Sequence, residues 1–190
     1  MYNGAPVVLA SQSPRRKQLL EQAGIPFEGR GIETAETWPP ELDIPAIPVH
    51  IARQKAAAVM AQCAPGEIVI AADTVVVLDK TIIGKPKDRE DAIRILTALS
   101  GREHQVITGV VMRRNGEESS FSDVTAVHFK PLTAEQISYY VDHYRPFDKA
   151  GAYAIQEWIG AVGIDSINGC FYNVMGLPIS KVVTRLEALQ

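Results

Sequence analysis

Ile68 to Pro86 reads IVIAADTVVVLDKTIIGKP. From Ile68 to Leu78 every residue except Asp73 and Thr74 is apolar, and most are β-branched or small. Such a run fits a strand covered on both faces, and it predicts either a central strand pair or one bent strand. Asp79-Lys80 then turns the chain. Upstream, Val7-Val8-Leu9-Ala10 predicts another buried strand, and Ser13-Pro14 predicts a helix start with serine as N-cap and proline at the first helical position. Leu19, Leu20 and Ala23 give that helix an apolar stripe, and Gly24 ends it. Strand followed by helix is the building unit of an α/β fold.

The same unit returns further along. Asp88 caps a predicted helix with Ala92, Ile93, Leu96 and Leu99 inward and Gly101 at its end. Between the two units lies a polar, proline-rich stretch from Gly29 to Pro48, followed by an alanine-rich helix over Val49 to Gln62 with Ile51, Ala52, Ala56 and Val59 inward and Lys55 at the border. Val106–Met112 and Glu118–Phe129 predict strands joined through Asn115-Gly116, a strong hairpin signal, so an antiparallel element follows a parallel-type one. Thr133 and Gln136 form a capping-box pattern for a helix carrying Ile137, Tyr140, Val141 and Tyr144, and Pro146 stops it. FDKAGAYAIQEWIG, Phe147 to Gly160, reads as a loop running into a short strand, and Ala161–Ile167 as a strand. Asn168-Gly169 is a turn, and Pro178 opens a last helix with Val182, Val183, Leu186 and Leu189 inward.

Composition narrows the function. With 190 residues the chain can form one good core, or two lobes sharing a sheet. Its 19 Lys plus Arg against 22 Asp plus Glu argue against a broad nucleic-acid face, though not against a local basic pocket. MYNGAPVVLASQSPRR lacks the pattern of a signal peptide and no apolar run is long enough to span a bilayer, so a cytoplasmic protein without membrane contact is expected. Cys63 and Cys170 lack metal or redox spacing and read as small core residues.

Several polar residues stand out against this frame. Arg15 and Arg16 fall at a helix amino terminus, where the dipole already favours an anion. They are either solvated surface charges or part of a phosphate cradle. Asp73 has five apolar residues before it and four after Thr74, which suits a carboxylate hydrogen-bonded at a strand end, a water-activating base, a magnesium ligand, or both of the last two. Lys55 and Lys85, if not surface lysines, would complete with the arginines a tetrad of cations matched to a triphosphate. Glu36 in the acidic loop is a candidate second metal ligand. The primary amide of Gln156 complements the N3–H and O4 edge of uracil or thymine, and Tyr153 and Trp158 beside it either stack on a base or belong to the core.

LASQSPRRKQLL (Leu9–Leu20), AADTVVVLDKTIIGKP (Ala71–Pro86), DKAGAYAIQ (Asp148–Gln156) and INGCFYNVMGLPI (Ile167–Ile179) together resemble the Maf family of nucleoside triphosphate pyrophosphatases, over Val7 to Leu186. The resemblance implies a single mixed α/β domain spanning residues 1–190, an elongated twisted sheet flanked by helices, with two lobes around a deep nucleotide-binding cleft. It implies hydrolysis of a nucleoside triphosphate to the monophosphate and pyrophosphate with a divalent cation, Mg2+ or Mn2+. Within the family pattern, Asp73 matches the proton acceptor, with Lys55 and Lys85 expected beside it in catalysis. Arg15, Thr74 and Gln156 match positions linked with substrate choice, Ser11 and Arg16 join them in substrate binding, and Asp73 with Glu36 falls to the metal. KAGAYAIQ resembles the dTTP and UTP branch, although Ala154 and Gln156-Glu157-Trp158 stand where that branch more often has glycines. Two other readings stay open: a 7-methylguanosine triphosphate pyrophosphatase, and a non-catalytic nucleotide sensor in the control of cell division. The family admits a homodimer, and no residue pattern requires one.

Overall fold

In the computed structural model, which describes residues 2–189, the elements run β1 (Val7–Leu9), α1 (Pro14–Gln22), β2 (Phe27–Gly29), α2 (Ile47–Met60), β3 (Ile68–Leu78), β4 (Thr81–Ile83), α3 (Arg89–Leu99), β5 (Glu103–Arg114), β6 (Glu117–Phe129), α4 (Ala134–Tyr144), α5 (Trp158–Gly163), β7 (Ile164–Asn168), α6 (Phe171–Met175) and α7 (Ile179–Ala188). The strands form one seven-stranded mixed sheet in the order β2-β1-β3-β5-β6-β7, with β4 also against β3. β1 runs parallel to both β2 and β3, whereas β4 and β7 are antiparallel to their neighbours. The α/β class and the mixed sheet flanked by helices agree with the sequence reading. Among the described residues no helix is long and apolar enough to cross a membrane.

β3 is one continuous strand rather than a pair, buried at every position except the half-buried Thr74. Asp79 and Lys80 both take left-handed backbone, φ 50° and 64°, and return the chain as β4 with Leu78 opposite Thr81. That is the primed two-residue turn whose twist matches a hairpin. Asn115 and Gly116 do the same between β5 and β6, with φ 49° and 88°.

The chain divides into two compact units. Unit 1 comprises residues 2–73, Thr108–Asp123 and 176–189; unit 2 comprises Thr74–Ile107 and Val124–Met175. In unit 1, Val8, Ala10, Val69, Ala71 and Val111 pack against Ala52, Ala56 and Val59 of α2. The small residues on both sides let the helix lie close to the strands, and at Gly109 the approach reaches its limit: a Cβ there would stand 2.2 Å from the Val49 nitrogen and 2.3 Å from the Pro48 carbonyl carbon. Only glycine allows backbone to come so near.

In unit 2, α3 lies against α4, joined at the surface by Arg89 to Asp142 at 2.6 Å and 2.9 Å. Both helices are capped as the sequence predicts: Asp88 accepts from the Asp91 N–H at 2.8 Å, and Thr133 with Gln136 forms a full capping box. Beneath them His104, Phe129 and Tyr153 meet edge to face, and His104 Nε2 lies 2.7 Å from the Tyr153 hydroxyl. Tyr153 is therefore a core residue, not a base-stacking one.

Burial, then the charge of His128, push His104 down to about 4 from its ordinary 6.5. Between those values the unfolded chain binds a proton that the native one does not, so stability rises with pH there. Stability should therefore fall by on the order of 3 kcal/mol between pH 6.5 and pH 4, as the unfolded chain takes up a proton that the buried ring resists. Urea unfolding of wild type and His104→Gln at pH 7.5 and 5 checks this, since wild type should lose stability relative to the variant at the lower pH. A difference independent of pH would rule it out.

Several expectations are corrected. β2, a three-residue strand paired with β1, has no counterpart in the sequence reading and takes in Gly29, the first residue of the polar stretch. Trp158–Gly163 is a helix rather than strand, because glycine at 160 lets it fold onto the preceding turn, and β7 begins only at Ile164. α6 was not predicted at all. In α3 the inward residue is Ile95, with Ile93 only half-buried, since 92, 95, 96 and 99 follow the helical repeat. Val183, Leu189 and Tyr144 are half-buried at the edges of their stripes. Cys63 and Cys170 are half-buried rather than fully buried, Cys63 packing against the edge of the core. Ser13 stands at the start of α1 as expected, but its side chain makes no capping hydrogen bond.

Candidate active site

The loop that leaves β1 and the first turn of α1 lie at the carboxyl end of parallel strands, where open α/β sheets place their ligands. β1 stops at Leu9 while its partner β3 runs on to Asp73 and beyond. Asp73 shares a face with Val69 and Ala71, the side covered by α2, because side chains alternate along a strand. Lys55, one turn from Ala52 and Val59, sits at the edge of the α2 stripe and reaches over.

Lys55 Nζ donates to Asp73 Oδ1 at 2.6 Å and to Glu36 Oε1 at 2.9 Å. The Asp73 and Lys55 side chains are 10% and 14% exposed, so this ion pair is screened far less than a surface pair, whereas Glu36 is 42% exposed on the loop. A charge-assisted pair accounts for a carboxylate inside an apolar strand.

Arg16 is buried although it belongs to the first turn of α1. Its Nε donates to the Gly176 carbonyl at 2.8 Å and its Nη1 to Ser11 Oγ at 3.2 Å. Ser11 Oγ also accepts the Ser13 N–H at 3.2 Å. With two bonds accepted, the hydroxyl's remaining capacity is as a donor, the sense a phosphate oxygen requires. Burial holds Arg16 below the ordinary arginine value, with Asp73 and Glu36 acting to raise it and Arg15 to lower it. These charges therefore share one electrostatic neighbourhood. No acidic residue stands in the first turn of α1 to offset its positive end.

The structure thus brings together Ser11, Arg16, Glu36, Lys55 and Asp73 in unit 1, with Arg15 half-buried beside Arg16. Unit 2 holds the remaining candidates: Thr74, next to Asp73 in β3; Lys85, exposed just after β4; and Gln156, exposed between Ile155 and Glu157. Trp158 lies against Tyr139, ring centroids 4.9 Å apart. Sequence reasoning missed the Gly176 carbonyl, whose signal was its place in NVMGLPI.

Asp73 and Glu36 converge on a single nitrogen, so the place already suits a cation. Two hard carboxylates fit magnesium or manganese, which commonly take one or two protein carboxylates together with substrate phosphates and water. Among the described residues no group of three or more His, Cys, Asp or Glu side chains could cage an ion alone. The donor set fits an ion shared with a substrate.

The family model described as Maf-like protein matches residues 6–189. The chain is 49% identical over 186 residues to a protein of Phocaeicola vulgatus named dTTP/UTP pyrophosphatase, covering 96% of this chain and 95% of that one. It is 47% identical over 184 residues to a protein of the same name from Bacteroides thetaiotaomicron, again covering 96% and 95%. A HAM1 protein from Coxiella burnetii superposes over 97% of this chain and 99% of its own with a TM-score of 0.52 at 16% identity, a likeness of fold alone. With a family match running almost from end to end, the chain belongs to the Maf-like protein family.

Proposed function

We propose that the protein is a nucleoside triphosphate pyrophosphatase acting on dTTP and UTP, releasing the monophosphate and pyrophosphate. The observation that carries it is the buried Asp73 carboxylate, held at 2.6 Å by a lysine that also grips Glu36, in a chain whose relatives carry that name. Water attacks the α-phosphorus, the α–β anhydride bond breaks, and the leaving pyrophosphate takes the bonding pair. Asp73 orients the water and accepts its proton. Arg15, Arg16 and Lys55 stabilise charge on the phosphate oxygens, and the Ser11 hydroxyl donates to one of them. Asp73 and Glu36 would hold the divalent ion, which when bound neutralises phosphate charge and polarises the scissile bond.

Thr74, Lys85 and Gln156 enter on the family pattern: Lys85 as a further cation for the triphosphate, Thr74 and Gln156 for substrate choice. Their chemistry supports this, since an amide can donate to O4 and accept from N3–H of uracil or thymine. Incubation with magnesium and each of dTTP, UTP, CTP, GTP, ATP and 7-methylguanosine triphosphate, with products resolved by chromatography, tests the reading. Monophosphate and pyrophosphate from dTTP and UTP are expected. Cleavage of 7-methylguanosine triphosphate alone, or tight binding without cleavage, would point instead to the other branch or to a sensor.

A further inference from the structure

Gln156 is exposed, yet the three residues before it are not: Tyr153, Ala154 and Ile155 are all buried. The turn is closed by the Glu157 N–H donating to the Ala154 carbonyl at 3.1 Å. One oxygen straddles that turn from outside. The hydroxyl of Tyr140, fully buried on α4, accepts the Ala154 N–H at 3.1 Å and donates to the carboxylate of Glu157. Lys149 Nζ, bonded to Asp148 at 2.7 Å, lies 3.8 Å from the other Glu157 oxygen. On the far side α5 presses against the turn, for a Cβ at Gly160 would stand 1.7 Å from the Ile155 carbonyl oxygen.

A primary amide by itself does not separate uracil from cytosine. Rotated by half a turn, it offers its donor to N3 and its acceptor to the N4 amine of cytosine just as well. Discrimination therefore depends on the frame that holds the amide, and a frame fixed by buried hydrogen bonds loses little to water.

We propose that Tyr140 is a positioning residue for base selection, its hydroxyl bracing Ala154 and Glu157 on either side of Gln156. The inference rests on the role given to Gln156 above. Without the hydroxyl, a buried N–H and a carboxylate oxygen lose their partner, and the turn relaxes toward other hydrogen bonds. Gln156 then presents its amide in more than one orientation. The loss falls on substrate choice before it falls on the chemical step, because the two bonds at stake hold the turn around Gln156.

The test compares steady-state hydrolysis of UTP and CTP by wild type, Tyr140→Phe, Glu157→Ala and Gln156→Glu, each shown to be folded by thermal melting. Tyr140→Phe should lower the UTP-to-CTP ratio of kcat/KM by roughly tenfold, with KM for UTP rising more than kcat falls. Glu157→Ala, which removes one of the two braces from a half-exposed position, should move the ratio the same way by a smaller factor, and it carries the test where Tyr140→Phe does not fold. An unchanged ratio in both braces, beside an altered one in Gln156→Glu, would overturn the positioning role alone. An unchanged ratio in Gln156→Glu would overturn the reading of Gln156 and this inference with it.

Discussion

Replacing Asp73 with Asn should lower kcat for UTP by ~10³-fold while leaving nucleotide affinity within about threefold. Asparagine keeps a carbonyl oxygen for the Lys55 ammonium, which donates to Asp73 Oδ1 at 2.6 Å, so the site keeps its shape. Glu36, at 2.9 Å, continues to balance the lysine. What the amide cannot do is take a proton from water. The loss should thus appear in the chemical step, seen in single-turnover experiments, with Kd measured by calorimetry in calcium. A variant turning over at the wild-type rate would remove Asp73 from the reaction, and one that no longer bound nucleotide would make it a binding residue.

The second large effect is expected far from any charge. Gly109→Ala should cost about 3 kcal/mol, at the upper end of overpacking, and lower the melting temperature by roughly 6–12 °C. The added carbon would meet main-chain atoms of Pro48 and Val49 at 2.2–2.3 Å, and no rotamer relieves a backbone collision. α2 has to move, and Lys55 moves with it, so kcat should also fall at temperatures where the variant is still folded. Gly84→Ala is the matched control, because a Cβ there meets nothing within 4 Å and its midpoint should stay within about 2 °C. Equal melting of all three proteins would mean that the helix can slide without loss.

Where sequence chemistry is local, it was legible. The turn at Asp79-Lys80, the hairpin at Asn115-Gly116 and the caps at Asp88 and Thr133 each depend on residues a few positions apart, and each stands where predicted. Asp73 was legible for a different reason: a carboxylate in an apolar run needs a partner, though the run does not say which. Lys55 was one of several lysines until α2 laid it across β3. β2 was not legible, because three residues become a strand only through a neighbour. Tyr140 fitted its apolar stripe so well that nothing pointed to its hydroxyl, whose partners lie 14 and 17 residues away. Glycine at 160 read as part of a loop running into a strand, while its use is to admit a carbonyl beside a helix.

The hydrogen bond from Arg16 to the Gly176 carbonyl joins residues 160 positions apart. On the ribosome, Arg16 leaves the exit tunnel early, and at a typical synthesis rate of roughly 5–20 residues per second its partner follows only after ~10–30 s. The two local hairpins can zip in microseconds during that interval. The guanidinium gains Ser11 early and the Gly176 carbonyl only late, so a nascent or prematurely terminated chain has most residues of the site without their full arrangement. Such a chain would leave the nucleotide pool of the cell that is still making it untouched.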